Sequence, residues 1–265
     1  MFDPSFALFV PGDRPDRFTR ALASGASGAI LDLEDAVAPD RKAFARDAVA
    51  AFVAAAPRDT SFAVRINAVL SPWFLDDLAM VERCGVRALM LPKVSGSNAL
   101  DVVEARLGPV EITALIESAS GVLAAAVIAA HPCVRALAFG PYDLAANLGC
   151  TDDWATMLPH RAHVLLAARV YGRIVVDGPS KDFHDLEPVA RDASLAAALG
   201  YDGKLAIHPA QIAPAIAAFR PSSDDIAYAE RIIAAAEHAM PAVVDGAMID
   251  APMLASARRL VRRVR

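Results

Sequence analysis

The sequence has few cysteines, and none of them belongs to a paired motif. Cys84, Cys133 and Cys150 are scattered over 265 residues, with no CxxC pair and no Cys/His cluster along the chain. Zinc sites are typically built from such closely spaced ligands, so the spacing argues against a zinc protein. An odd, scattered set of thiols is typical of a reducing compartment, and we therefore expect no disulfide framework.

Long apolar segments and an excess of positive charge are also missing. The most apolar long stretch, residues 121–130, is too short to span a bilayer, and the N-terminus lacks the basic segment of a signal peptide. The net charge of −5 excludes broad nucleic-acid binding. We interpret the arginine-rich end, residues 258–265, as a solvated helix terminus, with a phosphate or partner contact as the alternative. These features predict a soluble, cytoplasmic protein that binds neither nucleic acid nor membranes.

What the sequence does contain is an alternation of short apolar runs and longer alanine-rich segments. Such runs are typical of parallel strands buried on both faces, and the segments between them carry helix start and stop signals. The runs occupy residues 6–11, 29–35, 62–67, 88–94, 112–117, 136–143, 174–177 and 204–208. Eight strands alternating with helices predict an α/β fold, a (β/α)₈ TIM barrel, with an open doubly wound sheet as the alternative.

The chain continues well beyond the eighth run. It holds a predicted helix at residues 222–240, a stretch punctuated by Pro and Gly with the sequence PAVVDGAMIDAP, and a final helix. A barrel does not need these residues. We therefore expect a barrel catalytic domain at residues 1–220 and a C-terminal helical extension at residues 221–265, which packs on a neighbouring subunit or covers the site.

Acidic side chains close several of the apolar runs. Barrel enzymes place catalysis at the C-terminal ends of their strands, where Glu117 and Asp143 end adjacent runs and Glu34 and Asp35 end another. Acids crowded on one rim repel unless a cation lies among them, and oxygen ligands favour Mg²⁺ or Mn²⁺ over Zn²⁺. We expect Glu117 and Asp143 to bind the metal directly, with Glu34 and Asp35 holding its water molecules. Ordinary strand-end carboxylates that cap helices are the alternative.

Three further strand-end residues admit two interpretations each. Lys93 is either an electrostatic partner of the acids or a Schiff-base nucleophile, and the metal set favours the first. His208, before Pro209, is a structural strand-end residue or a base, and we favour the structural role. Asp177 is a strand-end acid that binds either a substrate hydroxyl or coenzyme A.

The strand-end motifs run in a fixed order from residue 8 to about residue 254. They are LFVPGDRPDRFTRAL, AILDLEDAVAPDRK, VRIN, LMLPKV, LIESASGV, FGPYDLAANLG, DGKLAIHPAQI and DGAMIDAPML. In this order they resemble the HpcH/HpaI aldolase and citrate lyase beta-subunit-like family. The resemblance covers nearly the whole chain, and it implies a (β/α)₈ barrel with a C-terminal extension that assembles as a homotrimer or hexamer.

The resemblance also implies roles for the rim residues. Glu117 and Asp143 correspond to the metal ligands, and Arg65 to a catalytic arginine that also binds substrate. Glu34 and Asp35 correspond to acids in the outer shell of the metal. The resemblance thus assigns Mg²⁺, or Mn²⁺, to the carboxylates found from the residues alone.

The resemblance also implies roles for Arg14 and Asp250, while Tyr142 departs from the family pattern. Arg14 in the PGDRPDRF loop is similar to a coenzyme A contact. Asp250 in GAMIDAP is similar to an acid that reaches the neighbouring subunit's site and gives or takes a proton at the enolate carbon. Family members commonly have an acid directly before the metal-binding aspartate, and here it is Tyr142. This departure leaves the acyl-CoA substrate open.

The implied activity is cleavage or formation of a 3-hydroxyacyl-CoA, such as citramalyl-CoA or malyl-CoA, with acetyl-CoA and a 2-oxo acid on the other side. One alternative is a coenzyme A-independent aldolase that joins pyruvate to an aldehyde. Others are a thioesterase for the same substrates, a subunit of a citrate lyase complex, and a catalytically silent barrel. The acids around a metal-sized hole argue against the silent barrel, which need not keep them.

Overall fold

The barrel is the central feature of the structure, a computed structural model that describes residues 2–238 and 241–262. Eight parallel strands pair in chain order from β1 to β8. The cylinder is closed by two backbone hydrogen bonds: Phe9 N–H donates to Ala206 O, and Ala206 N–H donates to Ala7 O. The (β/α)₈ fold is therefore confirmed, and the open sheet is excluded. The strands are β1 (Leu8–Pro11), β2 (Ala29–Asp32), β3 (Phe62–Arg65), β4 (Ala88–Leu91), β5 (Glu111–Ile116), β6 (Val134–Phe139), β7 (Ile174–Asp177) and β8 (Gly203–Lys204).

Helices follow the strands, and local signals set their ends. Ser118 begins α5 by accepting the Gly121 N–H, and Gly85 ends α3 in the left-handed conformation that glycine tolerates. Two helices, α6 and α7, follow β6. The helices are α1 (Phe18–Leu22), α2 (Lys42–Ala55), α3 (Phe74–Cys84), α4 (Asn98–Leu107), α5 (Ala119–Ala130), α6 (Pro141–Leu148), α7 (Trp154–Val170), α8 (Glu187–Leu199) and α9 (Ile212–Phe219).

The strands supply the core. Every residue of β2 and of β4 is buried, as expected for strands with the barrel interior on one face and helices on the other. Small and large side chains share the interior; Ala63, Ala88 and Ala138 pack with Met90 and Leu115. The eighth predicted run is shorter than expected, because β8 ends at Lys204 and the chain then bridges to β1 through Ala206 alone.

The chain clusters into two compact units, one up to Ile216 and one from Ala217 onward. The second contains α10 (Ser223–His238), a hairpin of β9 (Ala242–Val244) and β10 (Ala247–Ile249), and α11 (Ala251–Arg262). The turn-rich stretch expected before the last helix is this hairpin, whose two-residue Asp245-Gly246 turn has positive φ at both positions. Residues 239–240 and 263–265 lie outside the described residues. None of the described helices combines the length and apolar character that crossing a membrane requires.

Asp177, the last residue of β7, belongs to a buried ion triplet. Its carboxylate accepts from Arg161 Nε and Lys204 Nζ, both at 2.8 Å, and the side chain is fully buried. Burial raises the pKa of Asp177, but Lys204 and Arg161 outweigh burial and hold it below the ordinary value of 3.8. The expectation that Asp177 meets substrate is therefore replaced by a structural role.

Asp177→Asn is expected to destabilise the barrel by about 3–5 kcal/mol, because it leaves two buried cations without their counter-charge. Urea unfolding at neutral pH measures this loss, with the exposed Asp76→Asn as the control. Since the folded pKa is lowered, the carboxylate contributes stability above pH 3.8 and loses it as the pH falls through the folded value. The difference between variant and wild type must therefore shrink in acid. An equal difference at low pH would contradict the ion-triplet explanation.

Candidate active site

Arg65 is held at the end of β3 by the strand beside it. Asp32 and Arg65 are register partners on β2 and β3, and their side chains form a two-bonded pair, Nε–Oδ1 at 2.6 Å and Nη2–Oδ2 at 2.7 Å. Asp32 also accepts the backbone N–H groups of Glu34 and Ala36. Burial alone would lower the pKa of Arg65, but Asp32 and Glu34 raise it. The guanidinium is thus fixed in orientation and permanently charged.

Glu34 follows β2 and carries one oxygen with a partner and one without. Oε1 accepts from Lys93 Nζ at 2.7 Å. Oε2 lies 3.1 Å from Arg65 Nη1, yet it is buried and receives no hydrogen bond of acceptable geometry. Burial raises the pKa of Glu34 above its ordinary value. A buried carboxylate oxygen without a donor is costly, so this atom has an unused position for a donor or a cation.

Glu117 follows β5 and is buried close to two other acids. Its Oε1 accepts the backbone N–H of Lys93 at 2.8 Å, and that N–H is aimed by the left-handed backbone of Lys93, with φ of 55°. A Cβ on Gly140 would stand 2.6 Å from the Glu117 Cβ, so a side chain at position 140 would displace the carboxylate. Burial, Glu34 and Asp143 raise the pKa of Glu117 well above its ordinary value.

The other two predicted acids are more accessible. Asp143 is exposed in the first turn of α6, close enough to influence the titration of Glu117. The Asp35 side chain is half-exposed, with Oδ1 at 3.7 Å from Lys93 Nζ. The structure thus brings Glu34, Asp35, Glu117 and Asp143 together at one rim, as the parallel topology predicts.

Lys93 is an electrostatic partner of these acids. Burial lowers its pKa, but the hydrogen bond to Glu34 and the charges of Glu34 and Asp35 outweigh burial and raise the pKa to about 12. A Schiff-base lysine must lose its proton near neutral pH, which requires a lowered pKa. The geometry therefore favours the electrostatic role over the nucleophile.

A network behind the rim was missed from the sequence. The buried Lys42 Nζ donates to Leu33 O and Glu34 O, both at 2.6 Å, and to Asn67 Oδ1 at 2.9 Å. Asn67 Nδ2 in turn donates to Leu33 O and to Asp77 Oδ2. These bonds fix the backbone that carries Glu34. The lysine that directly follows Pro39-Asp40-Arg41 was the available signal.

Asp32 was also missed, because it lies inside an apolar run. The sequence Ile30-Leu31-Asp32-Leu33 reads as a buried strand, and a buried acid needs a partner of opposite charge. Arg65, at the end of the next strand, was the candidate that register would have supplied.

Tyr142 and His208 both have structural partners. The Tyr142 hydroxyl donates to Pro179 O at 2.8 Å, and Lys181 Nζ lies 4.3 Å from the centre of its ring. Burial raises the pKa of Tyr142, so it is neutral where the family commonly has an acid. His208 accepts the Ala210 N–H at Nδ1, and its ring stacks on Phe183 at 4.9 Å. The geometry favours the structural interpretation of His208.

Arg14 and Asp250 each have a partner close to them in the sequence. Arg14 follows β1, so it stands at the same end of the barrel as the acids; it is exposed and donates from Nε and Nη2 to Asp16. Asp250, in the C-terminal unit, precedes α11 and accepts the Met253 N–H at Oδ1. Both side chains therefore have an ordinary local partner.

The arrangement suits chemistry on a small anionic substrate. Buried carboxylates that lie close together are stabilised by a divalent cation, and a fixed guanidinium beside them can stabilise negative charge on a substrate. A sequence model of the HpcH/HpaI aldolase/citrate lyase family matches residues 5–209, which is most of the chain. The chain belongs to this family. It is therefore a lyase, built on the barrel that the resemblance implied.

Relatives of this lyase act on coenzyme A esters. The chain is 36% identical to a (3S)-malyl-CoA thioesterase from Cereibacter sphaeroides, over 97% of this chain and 93% of the relative. It is 33% identical to an L-malyl-CoA/beta-methylmalyl-CoA lyase from the same species, over the same shares. A crystal structure of protein CitE from Mycobacterium tuberculosis, in complex with magnesium, acetoacetate and coenzyme A, superposes with a TM-score of 0.88. It is 34% identical and covers 98% of this chain and 97% of its own.

Proposed function

We propose that this protein is a Mg²⁺-dependent carbon–carbon lyase. It cleaves a 3-hydroxyacyl-CoA, such as malyl-CoA or citramalyl-CoA, into acetyl-CoA and a 2-oxo acid, or it joins these two compounds in the reverse reaction. The observation that carries the proposal is the buried Glu117 carboxylate, next to Glu34 and Asp143 and beside the fixed cation Arg65. The relatives named for malyl-CoA support the substrate class.

The rim residues fit a magnesium ion. The Glu34 Oε2, which receives no hydrogen bond, and the Glu117 carboxylate, which lies close to two other acids, are groups that a hydrated divalent cation would satisfy. Glu117 and Asp143 would hold the ion, and Glu34 and Asp35 would orient its water molecules. Bound there, Mg²⁺ supplies a Lewis acid that polarises the oxygens of a 2-oxo or 3-hydroxy acid. The all-oxygen set also accommodates Mn²⁺.

The chain's own residues then govern charge and protons. As the carbon–carbon bond breaks, the 3-hydroxyl gives its proton to water, its C–O bond becomes the carbonyl of the 2-oxo acid, and the electron pair of the broken bond passes to the enolate of acetyl-CoA. Arg65, held by Asp32, stabilises the developing oxyanion without having to reorient. We assign to Asp250 the proton that the enolate carbon gains or loses.

A product-resolved assay tests the proposal. Purified protein with Mg²⁺ and malyl-CoA or citramalyl-CoA is followed for 2-oxo acid, acetyl-CoA and free thiol as three separate signals. Oxo acid together with acetyl-CoA, both lost in EDTA and restored by Mg²⁺, is the expected result. Free thiol without oxo acid would identify a thioesterase, a function supported by the thioesterase relative. No turnover of either kind sinks the coenzyme A proposal.

Arg14→Ala is expected to raise the KM for the acyl-CoA with little change in kcat. We propose that the exposed guanidinium, which pairs with the neighbouring Asp16, contacts a phosphate of coenzyme A. Steady-state kinetics on the acyl-CoA measures the change, and Arg20→Ala, one turn further on, is the control. An unchanged KM would favour the coenzyme A-independent aldolase, which has no use for this arginine.

We also propose that the lyase is a homo-oligomer, a trimer or hexamer. No residue of α5 is charged, and its surface exposes Leu123 and Val127. The adjacent α7 exposes Leu166 and Val170. A helix that is apolar all round is normally buried, so a second copy of the chain is the occupant that this face supports.

Asp250→Asn is expected to slow turnover about 100-fold without loss of stability, because asparagine caps α11 as well as aspartate but cannot transfer the proton. Thermal melting is the matching control. Mixing this variant with inactive Glu117→Gln subunits tests the assembly as well, since activity returns only if Asp250 serves a neighbouring subunit. Equal activity of Asp250→Asn and wild type would refute the proton-transfer role.

A further inference from the structure

A second group of metal-ligand side chains lies at the other end of the barrel. His131 and Cys133 flank Pro132 in the turn between α5 and β6, and Glu104 projects from α4. One nitrogen, the sulfur and one carboxylate oxygen of these residues lie within 4.8 Å of one another. Cys133 directly precedes β6, so the group is at the N-terminal ends of the strands, whereas the carboxylate rim is at their C-terminal ends.

The turn that carries two of the ligands is tightly fixed. His131 and Cys133 are both buried, and Arg173 donates to Ala129 O at 2.8 Å and to His131 O at 3.2 Å. The Cys133 N–H donates to His131 Nδ1 at 3.3 Å. The other ring nitrogen, Nε2, therefore faces the acids. It lies 3.2 Å from Asp101 Oδ1 and 3.6 Å from Glu104 Oε2.

The donor set has the chemistry of a zinc site. The Cys133 sulfur, one His131 nitrogen and one Glu104 carboxylate oxygen lie close enough together to share one ion. A thiolate, an imidazole and a carboxylate are ligands that Zn²⁺ takes, and Mg²⁺ does not use sulfur. If Nε2 binds the ion, the ring proton lies on Nδ1, which can then no longer accept the Cys133 N–H. The loss of this 3.3 Å hydrogen bond opposes metal binding only weakly.

We propose that Glu104, His131 and Cys133 bind a zinc ion, with Asp101 or water as the fourth ligand. The sequence argued against zinc because it has no CxxC pair and no Cys/His cluster was found along it, whereas the fold brings Glu104 next to the His-Pro-Cys turn. A groove of about 1140 Å³, lined by Glu104, Cys133 and Cys84, gives an entry path from solvent. The inference is independent of the proposed catalytic function.

This site would stabilise the barrel and take no part in the reaction. Its ion would join α4 to the turn before β6, and the N-terminal face of a barrel carries stability while the opposite face carries catalysis. A cation that binds the folded chain alone raises the melting temperature. Zinc should therefore raise the melting temperature of the metal-stripped protein when Mg²⁺ already saturates the rim.

Cobalt provides the direct test, because a Co²⁺–thiolate bond gives a charge-transfer band in the near ultraviolet that oxygen ligands cannot give. The full chain is stripped with EDTA, reloaded with excess Mg²⁺ and titrated with Co²⁺. One equivalent should produce the band. Cys133→Ser should abolish it and weaken zinc binding, measured by calorimetry, by more than about 100-fold, since loss of a mere outer-shell partner costs 10–100-fold.

Matched variants separate this site from others. Cys84→Ser removes a thiol from the same groove, and Glu117→Gln disables the rim; both should keep the band. Glu104→Gln, at a partly exposed position, should weaken binding and serves if Cys133→Ser folds poorly. The proposal is overturned if wild type shows no band, if the band survives in Cys133→Ser, if Glu104→Gln binds zinc as tightly as wild type, or if the band is lost in either Cys84→Ser or Glu117→Gln.

Discussion

Glu117→Gln is expected to abolish Mg²⁺-dependent turnover while leaving the fold as stable as wild type, or more stable. The variant removes the buried charge that Glu34 and Asp143 repel, and it keeps the size of the side chain beside Gly140. An amide is a much poorer ligand for a hard cation than a carboxylate, so the metal is lost even though the cavity is unchanged. Function and stability thus move in opposite directions.

Isothermal titration with Mg²⁺, the product-resolved assay and thermal melting measure the three parts of this prediction. Glu111→Gln is the matched control, because Glu111 begins the strand that Glu117 follows and pairs with Arg135 at 3.0 Å. It should keep both Mg²⁺ affinity and turnover. Unchanged Mg²⁺ affinity in Glu117→Gln would remove this residue from the metal site.

Arg65→Lys is expected to lower kcat by roughly 10²–10³-fold at unchanged Mg²⁺ affinity. A lysine keeps the charge, but its one nitrogen cannot reproduce two parallel bonds from separate nitrogens to Asp32 while a third nitrogen faces the substrate. The loss therefore measures orientation as well as charge. It is a transition-state effect, so kcat should fall more than KM rises.

Arg135→Lys, a partly exposed arginine paired with Glu111, is the control for the same chemical change and should be silent. Asp32→Asn provides a second measure, since it leaves Arg65 charged but weakens the bonds that aim it. Its kcat should lie between those of wild type and Arg65→Lys. Full activity of Arg65→Lys would show that charge alone is needed there.

The barrel and the residues of its rim were predictable because both depend on the apolar character of parallel strands. Parallel strands buried on two faces are apolar throughout, so the first polar residue after each run marks the same edge of the sheet. Glu34, Glu117 and Asp143 are of this kind. Their meeting follows from topology and does not require knowledge of any side-chain contact.

The rest depends on contacts that the sequence does not display. Asp32 lies within an apolar run, and its role in orienting Arg65 becomes apparent only from the strand register, which places the two residues opposite each other. The left-handed backbone of Lys93, which aims an amide at Glu117, is unusual for a residue that is not glycine. The hairpin turn at Asp245-Gly246 does have a local signal, an Asp-Gly pair between apolar residues, which is typical of such a turn.

The pairing of Asp32 with Arg65 predicts how these two positions change in the evolution of related barrels. A lineage that abandoned the reaction would be free to lose the arginine, but the aspartate left behind would be a buried charge without its counter-ion. Drift at position 65 should therefore be followed quickly by neutral substitution at position 32. Related barrels that have lost the reaction are therefore expected to lack both residues together.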